Sequence, residues 1–199
     1  MKILKITASV QGSEQSVSRQ TVDHIVSKLT QNGGEVIDRD LTKGVSLVTG
    51  AHVGAFYTKP SDLTEEQQTL LAESNQYVNE FQEANVIVLG TPIWNFSVPG
   101  SVKAYFDQLA RVGVTFKYTE QGPVGLLTNK KVYIVITSGG TGFRSAADFA
   151  SDYIKQFLGF LGLTDIEFIN QTQLMFDKDN AIQRGKEFVE NLSLEGIPA

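Results

Sequence analysis

Three short stretches of this chain hold the side chains that could do chemistry. The first is TASVQGSEQSVSRQ, where Ser9, Ser13, Ser16 and Ser18 crowd the approach to a segment of helical period. Hydroxyls and free backbone N–H groups ahead of a helix favour an anion there. The same stretch also reads as a polar turn with a serine N-cap. It has no GxxxxGKS or GxxxxGKT and no GxGxxG, and no Lys or Arg lies inside the loop before Arg19. A terminal monophosphate held by hydroxyls and amides fits it better than a nucleoside triphosphate or a dinucleotide. The second stretch is GTPIWNFSVPG, where Trp94 and Phe96 flank Asn95 directly after the apolar run Val86-Ile87-Val88-Leu89. Two rings in such a loop either hold a flat ligand or cap the core. The third is Ser138-Gly139-Gly140-Thr141-Gly142, after KVYIVIT. Glycines there let the main chain approach a ligand closely, or they make a plain strand-to-helix turn.

Composition removes other chemistries. There is no cysteine, so disulfides, thiolate metal sites and cysteine nucleophiles are excluded. The two histidines, His24 and His52, are far apart and carry no motif; His52, in a glycine-rich stretch, is the better candidate for a chemical role. No metal site and no protein acid or base is nominated. A net charge of −5 without a basic cluster argues against nucleic acid. No apolar run approaches the roughly 20 residues of a membrane helix. The opening MKILKITAS is too short and too β-branched for a signal peptide, so a cytoplasmic protein is expected.

The elements that must position these stretches alternate between strand and helix. Lys2–Ala8 is apolar enough for a strand. Val22, Ile25, Val26 and Leu29 share one helix face, ended by Asn32-Gly33-Gly34. EVIDRDL is a second strand. Thr42–Pro60 reads as a long excursion without a clear period, of the kind that is functional or at an interface. Ser61 to Ala84 reads as one long amphipathic helix with a Thr64/Gln67 capping box and a stripe of Leu71, Tyr77, Val78 and Phe81. Val86–Leu89, without polar alternation, suits a strand buried on both faces. A helix from about Pro99 to Arg111 follows, with Pro99 in its first turn and Lys103, Asp107 and Arg111 on a solvated flank. A second excursion, GVTFKYTEQGPVGLLTNKK, turns at Gln121-Gly122-Pro123. The strand Lys131–Thr137, a helix from Asp148 to Gly162, a strand Thr164–Ile169 and a helix from Ala181 to Leu192 complete the chain. Residues 1–199 are expected to form one domain, an α/β doubly wound parallel sheet of five strands in the order 2-1-3-4-5.

That order places the switch point between strands one and three. The three stretches then converge on one crevice at the carboxyl edge of the sheet. A phosphate cradle, an aromatic platform and a glycine-rich edge together describe a flavin mononucleotide (FMN) site.

The same residues carry a family resemblance over nearly the whole length. The serine loop ending QSVS, PIWNF, KAYFDQLARVGVTFKYTEQGPVGLL, the SGG loop and FLGFLGLTDIEF resemble the flavodoxin-like, FMN-dependent NADH:quinone oxidoreductases and NADH-azoreductases of bacteria. The resemblance implies non-covalently bound FMN. It implies that Ser9 and Ser16-Val17-Ser18 bind the phosphate, and that Pro92 with Ile93-Trp94-Asn95-Phe96 packs along the isoalloxazine. Ser138, Gly139, Gly140 and Thr141 would lie on the pyrimidine side. Two departures stand out: the phosphate loop looks about one residue longer, and Gly139 stands where some relatives have Arg. The resemblance further implies a homodimer with active sites at the interface. Phe56, Phe116, Tyr118 and Phe160 are then candidates for an aromatic substrate pocket, or else core and interface filler. The implied reaction moves two electrons from NADH, or NADPH, through flavin N5 to a quinone or azo compound in a two-step (ping-pong) exchange. The alternative is a flavodoxin-type electron carrier that does not oxidise NAD(P)H.

Overall fold

The structure is a computed structural model and describes residues 1–197. Five parallel strands form the central sheet: β1 (Lys2–Thr7), β2 (Glu35–Asp40), β3 (Val86–Pro92), β6 (Lys131–Thr137) and β7 (Asp165–Gln171). Their spatial order is β2-β1-β3-β6-β7. With the hairpin strands β4 (Phe116–Thr119) and β5 (Gly122–Gly125) set aside, this is the expected order. Helices α1 (Val17–Leu29) and α7 (Lys178–Asn191) cover one face; α4 (Ala72–Glu83), α5 (Gly100–Leu109) and α6 (Phe149–Phe160) cover the other.

The apolar runs are explained by burial on both faces. In β3, Val86 and Val88 pack with Val22, Ile25 and Leu29 of α1, while Ile87 and Leu89 pack with Tyr105, Phe106 and Leu109 of α5. β6 divides the same way, with Tyr133 and Val135 on the α1 side and Val132, Ile134 and Ile136 on the other. Each such side chain contributes about 1.5–3 kcal/mol of burial. Among the described residues no helix is long and apolar enough to cross a membrane.

Four local expectations are corrected. The Thr42–Pro60 excursion holds a helix, α2 (Gly50–Phe56), started by Thr49, whose N–H donates to His52 Nδ1 at 3.2 Å. His52 is therefore a buried capping residue. Ser61–Ala84 is not one helix. Pro60–Asp62 is a 3-10 turn, α3 (Glu65–Leu70) begins at the Thr64/Gln67 capping box, and the chain breaks at Leu71 before α4. The break has a packing cause: Leu71 is buried with Ala55 and Phe56, whereas Tyr77, Val78 and Phe81 face the main core. Pro99 is the residue before α5, not in its first turn. Finally, Lys103 and Asp107 form an exposed pair at 2.5 Å, but Arg111 lies beyond the helix end and is buried. Its guanidinium donates to Ser74 Oγ at 2.8 Å and Asn75 Oδ1 at 2.9 Å and sits over the Phe56 ring.

Candidate functional site

The loop after β1 is fixed by its own serines and by Arg19. Ser9, Ser16 and Ser18 are buried. Ser16 caps α1, its Oγ accepting from the Arg19 N–H at 3.3 Å and lying 3.2 Å from Ser18 Oγ. Arg19 turns back beneath the loop. Its Nε and Nη2 donate to the Ser9 carbonyl at 3.0 and 2.7 Å, Nη1 donates to Thr7 Oγ1, and Nη2 also meets Asp40. Burial opposes the Asp40 charge, but hydrogen bonds from Arg19 and Thr42 outweigh it and hold the carboxyl down at about 2. The arginine charge is thus spent inside the protein, and the Ser9 carbonyl is held by it. Gly90 brings α1 close to β3: a Cβ there would lie 2.7 Å from Val22 Cγ2.

The aromatic loop has a different construction. Ile93 N–H donates to the Thr137 carbonyl at 2.7 Å, fixing the start of the loop on the end of β6. Trp94 and Ser97 then exchange both backbone hydrogen bonds, at 2.8 and 3.0 Å. Asn95 and Phe96 between them have φ of 47° and 73°. Two consecutive left-handed residues inside such a pair make a tight turn of the I′ kind, which asparagine tolerates and phenylalanine does not favour. The turn holds both rings out: Trp94 is 45% and Phe96 56% exposed, so neither caps the core.

The glycine loop makes room for a neighbour that the sequence reading passed over, the segment after β7. Gln173 N–H donates to Ser138 Oγ, and Leu174 and Met175 N–H donate to the carbonyls of Ser138 and Gly139 at 2.9 and 3.0 Å. A Cβ on Gly139 would lie 3.1 Å from Met175 Sδ, and one on Gly140 would lie 3.4 Å from Phe176. Large apolar residues in a loop at a strand's carboxyl end, of which Trp94 and Phe96 are the aromatic case, are a signal that the sequence offers. Leu174-Met175-Phe176 carries the same signal.

These loops enclose a cleft of about 410 Å³ at the β1/β3 switch point. Ser9, Ser16, Val17 and Ser18 line one side, Pro92, Ile93 and Trp94 another, and Ser138 and Gly139 a third. Leu174, Met175 and Lys178 add to it from the segment after β7 and the start of α7. Asn95, Phe96, Gly140 and Thr141 belong to the same loops but do not line the cleft. Among the described residues Lys178 is the one charged side chain in the lining, and no Asp, Glu, His or Tyr reaches it. Such a site binds and orients but has no side chain poised for general acid or base work. Its donors fit FMN: hydroxyls and a helix N-terminus for a phosphate, and an indole and main chain for a flat ring.

The four aromatic candidates lie elsewhere in the chain. Phe116 meets Phe160 at 4.4 Å and Tyr118 at 5.5 Å between the β4–β5 hairpin and α6. The hairpin is pinned there, since a Cβ on Gly125 would lie 2.0 Å from the Gly162 nitrogen. Phe56 is separate, packed with Leu71 under Arg111. None of the four lines the cleft.

Residues 1–192 match the family model described as the flavodoxin-like fold. An FMN-dependent NADH:quinone oxidoreductase 1 of Hahella chejuensis is 45% identical, with 91% of this chain and 89% of the relative covered. The chain belongs to the flavodoxin-like family of FMN-dependent NADH:quinone oxidoreductases and azoreductases. Solved members of the family share its architecture. An azoreductase from Bacillus anthracis superposes with a TM-score of 0.83 at 30% identity, covering 95% of each chain. An FMN-dependent NADH-azoreductase from the same organism, solved in complex with FMN, gives 0.82 at 26% identity, again with 95% of each chain covered.

Proposed function

We propose that this protein is an FMN-dependent oxidoreductase that takes electrons from NADH and reduces quinones and aromatic azo compounds. The observation that carries the reading is the meeting, in one cleft, of the Ser16–Ser18 helix start, Trp94 and the Ser138–Gly139 main chain. Family membership supports the same activity. Bound in this cleft, FMN would supply hydride acceptance at N5 and a two-step exchange in which donor and acceptor take turns.

The protein's part is placement. Ser9, Ser16 and Ser18 hold the phosphate together with the first free N–H groups of α1. Pro92, Ile93 and Trp94 would lie along the ring and Ser138 and Gly139 would face its pyrimidine side, while Asn95, Phe96, Gly140 and Thr141 would hold the shape of those loops. Exposed Trp94, Phe96, Phe149, Met175 and Phe176 form an apolar rim around this edge. Their exposure supports a homodimer in which a second copy covers the rim and completes an acceptor pocket. Phe116, Tyr118 and Phe160 would line that pocket, while Phe56 packs separately under Arg111.

The test is spectroscopic. Purified protein should bind FMN, show a flavin spectrum and be bleached by NADH under anaerobic conditions. A colourless protein that cannot be loaded with FMN would sink the reading. The electron-carrier alternative separates in stopped flow, because a carrier shows no useful reduction by NADH. Comparing kcat/KM for NADH and NADPH against one quinone and one azo compound fixes donor and acceptor preference.

A further inference from the structure

The candidate phosphate cradle has no cation of its own. Arg19, the first basic residue after the loop, is turned inward and committed to Ser9, Thr7 and Asp40. A phosphate monoester carries between one and two negative charges near neutral pH. Serine hydroxyls and amide dipoles alone would leave much of that charge unneutralised.

The geometry of α1 and α7 supplies the missing charge. Both helices follow parallel strands on the same face of the sheet, so both begin at its carboxyl edge. They touch at Gly185, where a Cβ would come within 3.1 Å of Thr21 Oγ1. Lys178 precedes Gly185 by seven residues, two helical turns, and therefore stands on the same stripe of α7. Val17 precedes Thr21 by only four residues. At about 1.5 Å per residue, α7 begins roughly one turn higher than α1. Lys178 thus starts above the free N–H groups of α1, on the side facing them. It lines the same cleft as Ser9, Gln15 and Ser16, and among the described residues it forms no ion pair. Its neighbour Asp177 is engaged with Arg184 at 3.5 Å and with Asn180.

We propose that Lys178 supplies the positive charge that neutralises the phosphate of the bound flavin nucleotide, from an element outside the phosphate loop. This rests on the FMN reading above, and it gives the segment after β7 a binding role. Riboflavin has the same ring and no phosphate, so it separates this contact from any effect on the ring or the fold.

The experiment titrates full-length, flavin-stripped protein with FMN and with riboflavin, following quenching of flavin fluorescence. Lys178→Gln should weaken FMN about tenfold, the scale of one charge-assisted hydrogen bond, and leave riboflavin unchanged. Lys178→Arg should restore FMN binding. The gap between wild type and Lys178→Gln should narrow in about 0.5 M salt, because the cation is solvent-accessible. Equal weakening of FMN and riboflavin would overturn the proposal, placing the lysine at the ring or in the fold. So would unchanged FMN affinity. If wild type binds neither flavin, the cofactor reading itself fails. If wild type prefers FMN over riboflavin and Lys178→Gln keeps the full preference, only the role of Lys178 fails.

Discussion

The serine loop and the aromatic loop follow the adjacent strands β1 and β3 across the switch point, yet they are held in shape by opposite means. The serine loop is tied from below. Arg19 fixes the Ser9 carbonyl, Ser16 caps α1, and Asp40 anchors the arginine. Ser9, Ser16 and Ser18 are buried and already hydrogen-bonded. The aromatic loop has no side-chain ties of this kind. Its shape comes from a two-residue turn with both central residues left-handed, and its rings stand in solvent. One end of the cleft is ordered by hydrogen bonds that stabilise the folded chain. The other end is ordered by a backbone conformation that costs stability. A ligand with a charged tail and a flat apolar head would find the first end rigid and the second offering surface to be covered.

The contrast breaks most visibly at Arg19. Arg19→Met keeps much of the stem's packing but leaves the Ser9 carbonyl and Thr7 Oγ1 without their arginine donor and the Asp40 carboxylate with Thr42 alone. We expect a loss of about 2 kcal/mol in urea unfolding, the range for removing one partner of a partly buried charged network. FMN affinity should fall at least tenfold, because the loop is no longer tied to the arginine through the Ser9 carbonyl. A variant that unfolds more easily yet binds FMN like wild type would show that the loop does not need the arginine to hold its shape.

The same tie titrates. The Asp40 carboxyl is held at about 2 in the folded protein against an ordinary value of 3.8. A depressed folded value stabilises the protein above the unfolded value and loses that contribution as pH falls through the folded one. The window therefore lies between pH 3.8 and about 2. Asp40 is partly open to solvent, so screening reduces the effect to about 1 kcal/mol. Unfolding free energies across this window should slope downward in wild type and less steeply in Asp40→Asn. Equal slopes would mean that other carboxylates dominate acid unfolding.

How far the sequence reveals this arrangement differs between the same two kinds of structure. The sheet is legible because strands buried on both faces leave uninterrupted apolar runs, as in Val86–Leu89 and Val132–Ile136. The three loops are legible because hydroxyls, rings and glycines are conspicuous at strand ends. Tertiary choices are not. Leu71 keeps the helical spacing of its neighbours but is pulled into the Phe56 cluster, and nothing local marks the break. Arg111 continues the i,i+4 series of Lys103 and Asp107, but α5 stops at Leu109 and the side chain turns inward. The segment after β7 escapes notice because the strand is read as ending at Ile169. Pairing of Thr137 with Gln171 carries it two residues further, and Leu174-Met175-Phe176 then falls at a strand end.

The smallest expected effect has the opposite sign and probes the aromatic end. Phe96 adopts φ of 73° with its ring 56% exposed, so its side chain contributes little burial while its backbone sits where only glycine is at ease. Phe96→Gly removes the clash of Cβ with the backbone but gives the unfolded chain more freedom. The first term exceeds the second at a left-handed position, and the flavin-free protein should gain about 0.5 kcal/mol, read as a rise in Tm. Activity should fall at the same time, since the ring is removed from the rim. Stability and activity would then move in opposite directions at this loop and in the same direction at Arg19. If Phe96→Gly instead destabilised the flavin-free protein, the ring would be packing against a neighbour such as Phe149, whose N–H donates to the Phe96 carbonyl at 2.9 Å. The two ends of the cleft would then share one design, with the aromatic loop held by side-chain contacts as the serine loop is held by Arg19.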